Sequence, residues 1–187
     1  MKQVLSTLLI ALLFAAPAMA DKNQEKRDKI QKMRGEVLTR LYEEQPETKD
    51  MVKKAEGYAV FSNIGVNVIF FSAGGGSGVV HDNKSGADTY MNMGTAGLGL
   101  GLGAKDFRAV FVFHSRKAFD NFVEYGWDFS GQADAAAKSG DKGDEGSVAG
   151  TVVNGVSIYQ LTETGLALQA TLQGTKYWKS KKLNAAD

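Results

Sequence analysis

The sequence predicts an α+β domain in which N-terminal helices precede a mainly antiparallel, curled or barrel-like β-sheet with one inserted helix. Before Gly57, apolar residues recur at spacings of three and four, which is typical of amphipathic helices. After Gly57 the runs become β-branched and aromatic and are bounded by glycine, which indicates strands. Short turns between consecutive strands favour antiparallel pairing, and helical spacing returns once, after Ser115.

Composition limits the function classes. The chain has 187 residues, 22 Lys+Arg, 21 Asp+Glu and no cysteine. That length suits one domain. The lack of cysteine excludes disulfides, Cys-ligated zinc, iron–sulfur clusters and a thiol nucleophile. A formal charge of +1 argues against a dedicated nucleic-acid binder, which normally carries a basic excess.

The first twenty residues predict a secretory signal peptide. Lys2 gives the basic start, an apolar run follows, and Ala18-Met19-Ala20 forms an A-x-A cleavage motif. We therefore expect 1–20 to be removed after Ala20 and 21–187 to form a single periplasmic or secreted domain. A retained membrane anchor is the alternative, although the apolar run is short for a span.

Two helices are predicted next. Residues 22–45 carry one apolar stripe, formed by Ile30, Met33, Val37, Leu38, Leu41 and Tyr42. The stripe either packs on the domain's own sheet or lies in a membrane interface, and the pattern fits both. A second helix is expected to open at Pro46, pass through Met51, Val52 and Ala55, and stop near Gly57.

The strands follow in order. Extended runs occupy 58–61, 66–71, 89–93 and 109–113, with a strong turn signal at 82–86. Residues 74–78 are glycine-rich and predict either a turn or a strand that another element approaches closely. The Ala109–Phe113 run is apolar throughout, which indicates a central strand buried on both faces.

The remaining elements complete the prediction. Ser115 is expected to cap a helix over Arg116–Tyr125, which Gly126 ends. Residues 131–150 are rich in small and charged residues and are interpreted as a mobile excursion. Runs at 156–161 and 166–172 predict two strands joined by a hairpin at 162–165.

The run from Gly97 to Gly103 alternates glycine and leucine. It loosely matches a dinucleotide fingerprint, but a strand follows where that motif needs a helix. We interpret it as a strand whose leucines share one face and whose other face, with Gly99 and Gly101, is bare backbone. Such a face is either covered by another element or lines a lipid cavity.

The sequence predicts no catalytic centre, metal site or cofactor. His81 and His114 are expected to be ordinary surface or strand-end histidines. Asp82 beside His81 gives half a metal site without a second ligand cluster, and the acidic residues near 141–145 lack the EF-hand order. The lysines at 176, 179, 181 and 182, beside Tyr177 and Trp178, suit anionic lipid headgroups or simple solubility.

Several segments together resemble the SYLF lipid-binding domain family. They are Lys53–Phe61 with Asn63-Ile64-Gly65, Gly74–Val80, Leu98–Ala104, Val110–Phe113, Ala118-Phe119 and Gly165–Thr175, in the family's order. The resemblance covers roughly residues 35–180. It implies binding of membrane lipids, which in eukaryotic members are phosphoinositides. Because no catalytic motif is present, we expect this binding to be non-enzymatic. The chain departs from the family at 66–71, where its residues are bulkier.

From the resemblance and the basic residues we expect an exported lipid-binding or membrane-associating domain that prefers anionic headgroups. The alternative is a structural or interaction protein of the envelope that binds a protein partner. The candidate lipid-binding residues are Lys53, Lys54, Gly99, Gly101, Lys105, Arg108, Lys176, Lys179, Lys181 and Lys182.

Overall fold

The computed structural model describes residues 15–63, 75–95, 108–128, 151–153, 155–162, 165–166 and 175–185. The helices are α1 (Ala15–Glu44), α2 (Thr48–Lys54) and α3 (Arg116–Tyr125). The strands are β1 (Gly57–Ser62), β2 (Gly75–Asp82), β3 (Asp88–Thr95), β4 (Arg108–Phe113), β5 (Trp127–Asp128), β6 (Thr151–Val153), β7 (Val156–Thr162), β8 (Gly165–Leu166) and β9 (Thr175–Lys179). The predicted strand at 66–71, the Gly97–Gly103 run, Lys105, the 131–150 excursion and all but the first residue of the predicted strand at 166–172 lie outside the described residues.

The strands form one sheet in the order β5-β9-β3-β2-β1-β4-β7-β6, with β8 also pairing to β7. Every pairing in the described part of the chain is antiparallel. The sheet curls into a half-barrel, and α3 is inserted between β4 and β5. The predicted α+β fold class is therefore confirmed.

One face of the sheet is covered by α1 and α2. The stripe of α1 consists of Ile30, Met33, Val37 and Leu41, which are 0–7 % exposed. These side chains pack with Val60 and Val110 of the central strands. The apolar stripe thus packs on the domain's own sheet, which was one of the two alternatives left by its pattern. We call this side of the sheet the α1 face.

The opposite face, which we call the α3 face, is built from aromatic rings. Phe61, Phe111 and Phe113 alternate along their strands with the valines of the α1 face, because successive strand residues point to opposite sides. Phe122 of α3 stacks on Phe111 at 5.6 Å between ring centroids. Residues 109–113 are all fully buried, so the predicted two-sided burial of β4 is confirmed.

The ends of α3 are as predicted. The Ser115 side chain accepts a hydrogen bond from the Ala118 amide at 3.3 Å, and Gly126 ends the helix with φ of 70°. This positive φ favours glycine, since other residues rarely adopt it. The predicted hairpin is also present, because Thr162 pairs with Gly165 across β7 and β8.

The prediction for α2 was slightly wrong at both ends. The helix begins at Thr48 rather than Pro46, and the Thr48 hydroxyl donates to the Gln45 carbonyl at 2.6 Å in a turn before it. It ends at Lys54, because Ala55 is already extended. Gly57 is the first residue of β1 rather than a helix cap.

The glycine-rich segment around 75–78 is a strand that neighbouring elements approach closely, and the turn alternative is wrong. A Cβ built on Gly78 would lie 2.5 Å from Cδ1 of Phe61, and one on Gly76 would lie 2.6 Å from Cε of Met93. Both glycines point to the α3 face, since Gly78 pairs with Phe61 and Gly76 with Met93. They leave space for the large rings of that core.

Gly78→Ala should lower the free energy of unfolding by at least about 1–3 kcal/mol, because the added methyl would collide with the backbone carbonyl of Val60 and overpack the Phe61 ring. Gly35→Ala is the matched control. A Cβ on Gly35 meets nothing within 4 Å, and alanine favours the helix by about 1 kcal/mol. Chemical denaturation of both variants checks this pair. Equal stability of Gly78→Ala and the parent chain would contradict the packing described for Phe61.

Candidate functional site

The described candidate basic residues lie at two margins of the sheet and on or after strand β9 at its end. Pairing places Gly57 opposite Asp82 and His81 opposite Asp88 at one margin, which we call the α2 margin because α2 ends beside it. At the opposite margin Arg108 pairs with Ser62 and Leu161. The chain therefore does not gather its basic residues into one patch.

Lys53 and Lys54 lie at the α2 margin and are exposed. They form the last turn of α2, where cations interact favourably with the helix dipole. Asn83 fixes this helix end, since its side-chain amide donates to the carbonyls of Val52 and Ala55 at 2.8 and 2.9 Å. Lys84 is a third lysine at this margin. Its ammonium is paired with the Glu56 carboxylate at 2.8 Å.

Strand β9 lies next to the end of the sheet and carries two of the tail lysines. Its outer neighbour among the described strands is β5, which has only two residues. Tyr177 is buried in the α3-face core, whereas Lys176, Trp178 and Lys179 are exposed. Alternation along β9 thus anchors the strand by one ring and presents the flanking side chains outward.

The turn after β9 presents Lys181 and Lys182 to solvent. Leu183, which follows them, is buried against the core beneath α1. Arg27 of α1 donates to the Leu183 carbonyl at 3.1 Å, and Asn184 donates to the Tyr90 carbonyl at 2.7 Å. These contacts fix the turn, so both lysines project from a rigid support.

Two aromatic side chains are exposed beside these lysines. Trp178 is 41 % exposed and Tyr125 is 75 % exposed. Tyr125 is the last residue of α3, and the next residue, Gly126, lies against the backbone of Tyr177 and Trp178. We call this surface the basic–aromatic edge; it consists of Tyr125, Lys176, Trp178, Lys179, Lys181 and Lys182.

Sequence reasoning did not include Tyr125 in the candidate site. Its position at the end of α3, off the buried stripe of Phe119 and Phe122, was a signal that it would be exposed. Its closeness to β9 depends on the pairing of Trp127 with Tyr177, which joins residues far apart in sequence.

A polar cluster ties α1 to the sheet at the α2 margin. Arg34 donates to both oxygens of Asp88 at 3.0 and 3.1 Å, and His81 Nδ1 lies 2.7 Å from Asp88 Oδ1. Gln31 bonds both Asp88 and the Tyr90 hydroxyl at 2.9 Å. The cluster therefore fixes the position of the helix on the strands.

The other histidine is also engaged in a structural contact. His114 follows β4, and its Nε2 lies 2.7 Å from the Ser157 hydroxyl. Burial lowers the pKa of His114, because desolvation disfavours the charged ring. Both histidines sit at strand ends, as predicted. Among the residues that the structure describes, no cluster of His, Asp or Glu could hold a metal ion.

A cleft of about 410 Å³ lies between α3 and the turn that joins β2 to β3. It is lined by Asp82, Arg116, Phe119, Asp120, Val123 and Glu124, with Ala87 and Thr89. Arg116 spans the cleft, bonding Asp82 and Asp120 at 2.9 Å each. Its guanidinium also lies 4.5 Å from the centre of the Phe119 ring. The arrangement links the helix to the sheet.

Opposing effects set the pKa of Asp82. Burial raises it, but hydrogen bonds from the Lys84 amide, the Arg116 side chain and Ser85 outweigh burial and lower the pKa to about 2. The Asp82 carboxylate is therefore stabilised in its charged form. Its bonds to the backbone also stabilise the turn between β2 and β3.

No protein-family model matches this chain. Comparison with curated proteins finds a relative named Beta cell expansion factor A, from Aeromonas veronii, which is 37 % identical over 160 residues. The match covers 86 % of this chain and 59 % of the relative, so the chain spans less than two thirds of that protein's length. Within the described ranges, no helix has the length and apolar character needed to cross a membrane.

Asp82→Asn should destabilise the fold by about 1.5–3 kcal/mol at pH 6, which is typical for lost hydrogen bonds to a charged group. Because the folded pKa lies below the ordinary value of 3.8, the charge stabilises above that pH. The difference between variant and parent should shrink as pH falls from about 4 to 2.

Denaturant unfolding at several pH values measures the effect of Asp82. Asp120→Asn is the control, because its carboxylate pairs with the same arginine while its side chain is 54 % exposed. It should cost about 0–1 kcal/mol. A difference for Asp82→Asn that is constant between pH 6 and pH 2 would contradict the assignment.

Proposed function

We propose that this chain is an exported, non-enzymatic protein of the SYLF lipid-binding type that associates with anionic membranes through its basic–aromatic edge. The observation that carries the proposal is the grouping of exposed Trp178 and Tyr125 with four lysines along one end of the sheet. Both broad faces of the central strands are covered by helices, and this edge stays exposed among the described residues.

The physical chemistry of the edge suits a membrane interface. Tryptophan and tyrosine are enriched at the headgroup level, because one part of each ring is apolar and the other is polar. Each lysine near an anionic surface contributes about 1 kcal/mol, and this attraction falls with salt. Four lysines on one edge thus provide enough attraction for reversible, peripheral binding.

Two further findings support the lipid-binding type. The sequence segments that resemble the SYLF family include β1, the start of α3 and the central strand β4, and these form the middle of the observed fold. The relative from Aeromonas veronii matches over most of the chain, although its name states no ligand.

Export is the second part of the proposal, and it rests on the A-x-A motif at Ala18–Ala20. Helix α1 spans the expected cleavage point, since it runs from Ala15 to Glu44. The buried stripe described for α1 begins at Ile30, and Arg27 makes the first described tie to the C-terminal turn. Removal of residues 1–20 would leave all of these contacts in place.

The lipid-binding proposal predicts that Lys179→Gln/Lys181→Gln/Lys182→Gln weakens binding to anionic vesicles by on the order of 100-fold, from about 1 kcal/mol per lysine. Flotation with phosphatidylcholine vesicles, with and without phosphatidylglycerol, measures this. The parent chain should float with the anionic vesicles at low salt and lose binding at high salt.

The control changes the same charge elsewhere. Lys29→Gln/Lys32→Gln/Lys49→Gln alters three exposed lysines of α1 and α2 and should bind nearly as well as the parent. Equal loss in both triple variants would show that net charge alone drives association. Failure of the parent to float with any vesicle, together with saturable binding to one envelope protein, would replace this proposal with the protein-partner alternative.

The export proposal predicts that replacing Ala18 and Ala20 with leucine blocks processing, because the peptidase needs small side chains there. Mass spectrometry of the secreted or periplasmic chain should find Asp21 as the first residue of the parent. The double variant should keep its N-terminus. A variant chain that still begins at Asp21 would refute cleavage after Ala20.

A further inference from the structure

The cleft between α3 and the β2–β3 turn shares no residue with the basic–aromatic edge, and the proposed function does not use it. Its volume of about 410 Å³ falls within the range of about 300–1,000 Å³ that is usual for small-molecule sites. All of its lining residues belong to the described part of the chain. Ala87, Asp120 and Glu124 are exposed, so the cleft is open to solvent. We call it the α3 cleft.

The α3 cleft is an elongated groove. Its helical wall consists of Arg116, Phe119, Asp120, Val123 and Glu124, whose spacings of three and four place them on one side of α3. From the first to the last of these residues a helix rises about 12 Å. The ends of β2 and β3, with their connecting turn, form the opposite wall. The groove therefore suits a ligand that is long and narrow.

The α3 cleft carries an excess of negative charge. Its lining contains three carboxylates, those of Asp82, Asp120 and Glu124, but one cation, Arg116. The guanidinium already bonds Asp82 and Asp120 at 2.9 Å each. Glu124 has no ion-pair partner among the described residues, and its carboxylate meets only the hydroxyl of the neighbouring Tyr125. Negative charge thus remains uncompensated along the groove.

We propose that the α3 cleft binds a linear diamine or polyamine, that is, an aliphatic chain with ammonium groups along its length. Asp120 and Glu124 lie one helical turn apart, with about 5–6 Å between Cβ atoms, which a short diamine spans. One ammonium group contacts each carboxylate, and the methylene groups lie along Val123, which is half-buried. Ammonium groups only donate hydrogen bonds and carboxylates only accept them, so the polar groups of both partners are paired.

The cleft favours this ligand class over three others. An anion would meet a net negative surface whose one guanidinium is already engaged. A divalent metal ion needs several ligands at one point, and no group of His, Asp or Glu in the described ranges offers them. A single amine, such as the side chain of a lysine, would neutralise one carboxylate and leave the other unpaired.

The proposal goes beyond the proposed function and does not rest on it. Diamine binding is measured without any lipid, and the variants that test it leave every residue of the basic–aromatic edge unchanged. Failure of one proposal therefore leaves the other standing.

The experiment titrates the full chain with 1,4-diaminobutane and with spermidine at low salt, using isothermal titration calorimetry. The matched ligand control is 1-aminobutane, which has the same carbon chain and one ammonium group. The diamine should bind with a Kd of about 1 mM or tighter, and 1-aminobutane about fivefold more weakly, because it makes one ion pair fewer. Added salt should weaken diamine binding, since exposed charges are screened.

Asp120→Asn/Glu124→Gln removes both carboxylates at exposed positions, where the fold should be kept. It should weaken diamine binding by about 25-fold, from about fivefold for each ion pair. Glu36→Gln/Glu43→Gln is the control, because it changes the net charge equally at two exposed positions of α1. The control should bind the diamine like the parent.

Ala87→Leu tests the shape of the cleft without changing any charge. Ala87 is exposed, so the variant should fold and melt like the parent. Its larger side chain should fill part of the groove and weaken diamine binding. A loss of affinity at constant charge would separate binding in the cleft from general attraction to a negative surface.

A diamine that binds more tightly than 1-aminobutane, and that both cleft variants weaken while the α1 control retains it, would support the proposal. The proposal is overturned if neither amine probe with several charges binds at millimolar concentration, or if 1-aminobutane binds as tightly as the diamine. It is also overturned if the α1 control loses as much affinity as Asp120→Asn/Glu124→Gln, or if Ala87→Leu binds like the parent.

Discussion

Burial of the central strands on both faces is the constraint on which the rest of the structure depends. Strands β1 and β4 alternate valine toward α1 with phenylalanine or alanine toward α3, and these side chains are almost completely buried. Such a sheet is stable only when helices cover both sides, because each uncovered face would expose a large apolar area. The packing of α1 on the sheet is therefore required for the hydrophobic core.

Two-sided coverage also decides where contact with other molecules can occur. Helix α1 covers one face and α3 the other. The exposed aromatic rings near β9 therefore lie at the end of the sheet. The short β5 leaves this end lightly covered, and the turn after β9 adds Lys181 and Lys182. The proposed membrane surface follows from strand order, since it uses residues of β9.

Local sequence signals predicted an element well where its formation depends only on residues close in sequence. Both ends of α3 were predicted correctly. The cap bond of Ser115 and the positive φ of Gly126 depend only on residues close in sequence. The partner of the α1 stripe was left open, because an amphipathic pattern looks the same facing a sheet or a membrane. The placement of Tyr125 beside β9 depends on the pairing of Trp127 with Tyr177 over a long separation, which no local pattern specifies.

The central claim is that the chain meets a membrane with α1 still packed on the sheet. Amide hydrogen exchange of β1 and β4, measured free and bound to anionic vesicles, tests it most directly. We expect equal protection of Val60 and Val110 in both states, with new protection confined to α3's end and β9. Faster exchange in β1 and β4 on binding would show that α1 leaves the sheet for the membrane, and would contradict the account.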